Sequence, residues 1–107
     1  RNYVFVDTIP DGAVVLDCRE SHHFGVWHYP GAERWNIDEL GRRYRELEKT
    51  RTYVLYCTYG TQTAYLAEFM QRHGYEAYSF QGGARGLMRY ARERGQAPST
   101  GSLPTAR

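Results

Sequence analysis

An α/β fold on a parallel sheet is what this sequence predicts, on three observations. Short β-branched runs recur along the chain, and segments with helical spacing of apolar residues lie between them. Residues 53–57 are apolar without alternation, the pattern of a central parallel strand covered on both faces. Strands alternating with helices of this length imply right-handed crossovers, hence four or five parallel strands with helices on both faces.

In chain order, residues 3–6 and 13–17 read as strands separated by the turn-forming Pro10-Asp11-Gly12. Residues 33–36 form a weak strand, 53–57 the central one and 77–80 a further one. Ile37, Leu40, Tyr44 and Leu47 recur every three or four residues with charged residues between them, a helix for which Asp38 is the expected cap. A second helix runs from Gln62 to His73, with Leu66, Phe69 and Met70 inward and Gly74 as its stop signal. A third spans residues 84–94, carries Leu87, Met88 and Tyr90, and stops at Gly95. No internal repeat interrupts this order.

At 107 residues the chain is sized for one domain, and 41% hydrophobic residues, 15% aromatic, suffice for a core. We assign the domain to residues 1–95 and read 96–107, rich in Pro, Ser and Thr, as a flexible tail. With Arg1 in place of a starting methionine, the chain reads as a domain cut from a longer protein. A net charge of +2 is too small to drive nucleic-acid binding by itself. No apolar stretch approaches the roughly 18 residues of a membrane span, so a soluble, cytoplasmic protein is expected. Arg85, Arg89 and Arg92 share one helix face, read as a solvated face with contact to an RNA backbone as the alternative.

The chemistry centres on Cys57. It ends the central strand and opens the loop Thr58-Tyr59-Gly60-Thr61-Gln62-Thr63 before a helix, at the strand end where ligands bind in open α/β sheets. Loop amides and the helix dipole both favour negative charge there, so a lowered thiol pKa and a reactive thiolate are expected. Gly60 permits the turn that aims amides inward, and the loop hydroxyls add donors. The bland alternative is a buried cysteine acting as a small hydrophobe. A cysteine phosphatase is excluded because Thr63 stands where its phosphate-binding arginine belongs, and Tyr56 where such enzymes carry histidine.

Cys18 lies within the strand Val14-Val-Leu-Asp-Cys18, and two readings stand: a core residue or, if that strand neighbours the one ending at Cys57, a resolving thiol that forms a disulfide with Cys57. The cysteines form no CxxC pair. His22, His23 and His28 with Cys18 match no zinc spacing and read as surface histidines in an aromatic packing loop, so neither metal nor cofactor is expected.

Four motifs in order, Asp17-Cys18-Arg19, His28-Tyr-Pro-Gly-Ala32, Cys57-Thr-Tyr-Gly-Thr-Gln-Thr63 and Gly82-Gly83, resemble the rhodanese domain from about Val4 to Arg94. The resemblance implies a five-stranded parallel core and a cysteine that carries sulfane sulfur as a persulfide. Carried over by position, Cys57 is the sulfur acceptor and Thr58, Tyr59, Gly60, Thr61 and Gln62 the cradle, with Thr63 closing the substrate-binding segment. Asp17 and Arg19 are then a structural polar pair, and Pro30-Gly31 a turn. The loop lacks the basic side chain common in rhodaneses that act on thiosulfate, which argues against that substrate. Leu87 stands about where the family carries tryptophan.

Within the family the chain is similar to the rhodanese domain that ends the tRNA 4-thiouridine synthases. This implies sulfur taken from a cysteine desulfurase or other persulfide donor and passed to a sulfur-carrier protein or an adenylated uridine. The products served are thiouridine in tRNA and the thiamine thiazole, with tRNA contacted through other domains. The alternatives are a catalytically silent rhodanese-fold interaction module and a stand-alone thiosulfate or persulfide sulfurtransferase.

Overall fold

The structure is a computed structural model and describes residues 3–96. Five strands, β1 (Phe5–Val6), β2 (Val14–Asp17), β3 (Glu33–Arg34), β4 (Thr52–Tyr56) and β5 (Glu76–Phe80), form one sheet in the order β1-β5-β4-β2-β3. Every pairing is parallel. The helices are α1 (Ser21–Val26), α2 (Ile37–Arg43), α3 (Thr61–Arg72) and α4 (Gly83–Glu93), and a 3-10 turn, Tyr44–Glu46, extends α2.

β4 is central because the sequence lets it be buried on both sides. Tyr53, Val54, Leu55 and Tyr56 are at most 3% exposed, and alternate residues feed opposite faces. On one face, Leu16, Cys18, Tyr53 and Leu55 pack with Leu40, Tyr44, Ala67 and Met70 of the α2–α3 side. On the other, Val15, Val54, Tyr56 and Phe80 pack with Ala84, Leu87 and Ala91 of α4. Leu87 fills this second core layer.

Several boundaries differ from the sequence reading. β2 stops at Asp17 and β4 at Tyr56, so Cys18 and Cys57 are each the first residue beyond their strand rather than its last. The segment read as an aromatic loop of surface histidines contains a helix, α1, held without a side-chain cap by burial of Phe24 and its stacking on His28. Asn36, rather than Asp38, caps α2: its carboxamide oxygen accepts the Asp38 and Glu39 amides at 3.0 and 3.4 Å. Asp38 sits inside the first turn, where its charge favours the helix dipole. Pro30 and Gly31 form the expected turn, closed by the Ala32 amide on the Tyr29 carbonyl at 2.9 Å. The tail read from residue 96 lies outside the described residues except for Gln96, whose amide donates to the Ala91 carbonyl at 2.9 Å.

Candidate active site

The carboxyl ends of β2 and β4 lie side by side, and the loops leaving them enclose a cleft of about 250 Å³. Cys57, Thr58 and Gln62 line it from the β4 side, Cys18, Arg19, Glu20 and His23 from the β2 side, and Asn36, Ile37 and Asp38 from the start of α2. Sequence reasoning brought Cys57, Cys18, Arg19, Thr58 and Gln62 to this region but missed the other five. Nothing in the local pattern indicates which of the β2–α1 and β3–α2 residues face β4.

Cys57 sits at the base of this cleft, 4% exposed. The chain turns back at Gly60, whose φ of 94° is left-handed, and this aims the Gly60 N–H at Cys57 Sγ at 3.2 Å. The Thr63 hydroxyl lies 3.3 Å from the same sulfur. Ser79 Oγ lies 3.0 Å from the Gly60 carbonyl and 2.8 Å from Thr63 Oγ1; when Ser79 donates to Thr63 the Thr63 proton is free to point at the sulfur, and when Ser79 donates to the carbonyl Thr63 donates to Ser79 instead. α3 begins at Thr61 with no side-chain cap, so the amides of its first turn, which have no intrahelical partners, crown the loop.

The double glycine holds this loop from below. The Ala84 amide donates to the carbonyls of Cys57 and Thr58 at 2.9 and 3.2 Å. Gly83 has a φ of 63°, and a Cβ there would overlap the Thr58 carbonyl oxygen, so only glycine lets the start of α4 approach so closely.

The remaining loop residues divide. Thr58, Thr61 and Gln62 are exposed, with Thr58 and Gln62 on the cleft; Thr61 instead borders a shallow groove with Val4, Phe5 and Tyr65. Tyr59 projects outward at 78% exposure and does not line the cleft.

Asp17 and Arg19 form a buried pair. Asp17 Oδ1 accepts the Arg19 amide and Nε, each at 3.0 Å, and Oδ2 accepts Arg19 Nη2 at 2.8 Å and the Tyr56 hydroxyl at 2.5 Å. Arg19 Nη2 also donates to the Trp27 carbonyl at 2.6 Å. Burial opposes the Arg19 charge, but bonding to Asp17 outweighs it and holds the guanidinium pKa above its usual value. Burial, with Asp17 beside it, likewise pushes the Tyr56 hydroxyl far above the ordinary tyrosine range. The missed role of Tyr56 is thus to satisfy Asp17, while its oxygen accepts the Tyr29 amide at 3.1 Å. The Arg19 charge is neutralised at the cleft wall rather than directed at a ligand.

Cys18 is 3% exposed, and burial first, then the negative charges of Asp17 and Cys57, pushes its thiol well above the usual thiol range. Both cysteines are unbridged. Among the described residues no group of three or more His, Cys, Asp or Glu side chains is placed to hold a metal ion, and no helix is long and apolar enough to cross a membrane. Arg85, Arg89 and Arg92 are exposed on α4.

Comparison with known proteins agrees with this geometry. The family model of the Rhodanese-like domain matches residues 5–89. A tRNA sulfurtransferase of Pyrobaculum aerophilum is 36% identical over 76 residues, 71% of this chain, and one of Thermoplasma acidophilum is 37% identical over 71 residues, 66% of it. The chain spans only 16% and 14% of those two proteins. A rhodanese-related protein from Thermoplasma volcanium superposes with a TM-score of 0.71 at 24% identity, covering 82% of this chain and 84% of that one. A thiosulfate sulfurtransferase from Pseudomonas aeruginosa superposes with a TM-score of 0.66 at 23% identity, covering 85% of this chain and 17% of that one, a likeness of fold. With the cysteine loop, the double glycine and the parallel sheet in register, the chain belongs to the rhodanese-like domain family.

Proposed function

We propose that this domain is a sulfurtransferase that carries sulfane sulfur as a persulfide on Cys57. The observation that carries the reading is the sulfur's setting: Cys57 Sγ faces the Gly60 amide and the Thr63 hydroxyl beneath the uncapped start of α3, at the base of a cleft. These donors stabilise a thiolate, and equally the anionic terminal sulfur of a persulfide, without a charged side chain. The thiolate attacks the sulfane sulfur of a donor persulfide, the S–S bond of the donor breaks, and the donor leaves as its thiolate. The outer sulfur of Cys57-S-S⁻ is then open to an acceptor.

The donor is best a protein persulfide, such as that of a cysteine desulfurase, rather than thiosulfate. The loop offers no cationic side chain, Arg19 is consumed by Asp17, and the carboxylates of Glu20 and Asp38 line the cleft against a dianion. Likeness to the tRNA sulfurtransferases supports delivery of the sulfur for tRNA thiolation, with thiamine thiazole synthesis as the second outlet and tRNA bound by other parts of a longer protein. A cytoplasmic setting, where such donors act, fits this role.

Intact-mass spectrometry of the chain after incubation with a cysteine desulfurase and cysteine is the test. One added sulfur mapped to Cys57, and none on Cys57→Ala, is expected. A chain that stays unmodified while the desulfurase itself becomes persulfidated is instead a silent interaction module.

A further inference from the structure

We propose that Cys18 is the second thiol of this site and resolves the Cys57 persulfide as an intradomain disulfide, releasing the carried sulfur as hydrosulfide. The inference rests on Cys57 being the persulfide site. It is carried by strand register: Val14 is opposite Tyr53 and Leu16 opposite Leu55, all on the face that packs against α2 and α3. The ladder runs one residue past the strands, because the Cys18 amide donates to the Tyr56 carbonyl at 2.8 Å. Cys18 and Cys57 are therefore the next pair in register, and the two-residue alternation of side chains puts both on that same face. Neighbouring parallel strands lie roughly 4.7–4.9 Å apart, inside the window of about 4.4–6.8 Å between α-carbons that a disulfide requires.

Both cysteines line the cleft. The sole bond of Cys18 Sγ among the described residues is a long one of 3.8 Å to the Leu16 carbonyl of its own strand, so the thiol is not tied down.

The step balances within the site. Cys18 Sγ attacks the inner sulfur of Cys57-S-S⁻; the Cys18–Cys57 bond forms, the bond to the outer sulfur breaks, and the Cys18 proton leaves on that sulfur as HS⁻. The two cysteine sulfurs are oxidised and the sulfane sulfur is reduced to sulfide. Because the departing sulfur takes the proton, a thiol kept neutral in the resting protein needs no separate base. A dithiol reductant then returns both cysteines to thiols.

The test loads the full chain with a cysteine desulfurase and cysteine, removes both, and follows it without added thiol. Sulfide release and non-reducing peptide maps are the readouts. Expected are about one sulfide released per persulfide and a Cys18–Cys57 crosslink that a dithiol reverses. Cys18→Ala and Cys18→Ser, both checked for a wild-type circular dichroism spectrum, should keep the sulfur on Cys57 and release none until a dithiol is added.

A persulfide that persists on wild-type Cys57, sulfur relocated to Cys18, or equal sulfide release from the Cys18 variants overturns the resolving role while leaving Cys57 as carrier. Absence of sulfur from Cys57 in wild type and variants alike overturns the carrier reading, and the resolving role with it.

Discussion

Two adjacent strand ends deal with polar groups in opposite ways. At the end of β2, Asp17 and Arg19 are both buried, and their charges close on each other: Asp17 is engaged by Arg19 and Tyr56, and Arg19 also by the Trp27 carbonyl. At the end of β4, the Cys57 sulfur meets an amide and a hydroxyl among the described residues, and the start of α3 is left without a side-chain cap. The first arrangement is saturated charge against charge; the second turns uncharged donors toward a single sulfur, which is what the proposed persulfide would need. The proposed chemistry lies on the side without charged partners.

Breaking the saturated side has the largest expected effect, and it falls on stability. Asp17→Asn leaves the Arg19 guanidinium buried without its counter-charge, which costs about 3–5 kcal/mol. Urea denaturation should show this loss while the folded fraction still loads sulfur on Cys57 at the wild-type rate; a loading defect in the folded fraction would mean that the ion pair serves the chemistry directly. Thr63→Val disturbs the open side and should show the reverse balance. It removes the hydroxyl facing Cys57 Sγ and Ser79 at nearly constant volume, for about 1 kcal/mol of stability, and slows loading by a similar free energy, roughly fivefold. Stopped-time mass spectrometry checks the rate, and an unchanged rate would mean that the Gly60 amide and the helix start suffice.

The same contrast explains what the sequence made legible. β4 could be read because four consecutive buried residues force an apolar run, and Cys57 because a strand, a glycine and a helix follow one another along the chain. α1 was hidden by its composition, His-His-Phe-Gly-Val, which has low helix propensity and no capping side chain and is held by tertiary packing of Phe24. The α2 cap was placed two residues late because Asn36 and Asp38 are both good caps, and only the backbone turn at Asn36 decides between them. The Tyr56–Asp17 bond and the cleft contributions of Glu20, His23 and Asn36 depend on which strands are neighbours. The pairing of Cys18 with Cys57 depends on it too, and composition and spacing do not encode strand order.

The most direct measurement is the alkylation rate of each cysteine by iodoacetamide as a function of pH, read by peptide mapping. Cys57 is expected to react at neutral pH, because it lines the cleft with the Gly60 N–H and the uncapped start of α3 facing its sulfur. Cys18, whose thiol burial and Asp17 push upward, is expected to stay unmodified until the pH is raised beyond the ordinary thiol range of about 8.5. A Cys57 that is inert at neutral pH, or that reacts no faster than Cys18 at any pH, would contradict the claim that main-chain dipoles hold a reactive sulfur at the end of β4.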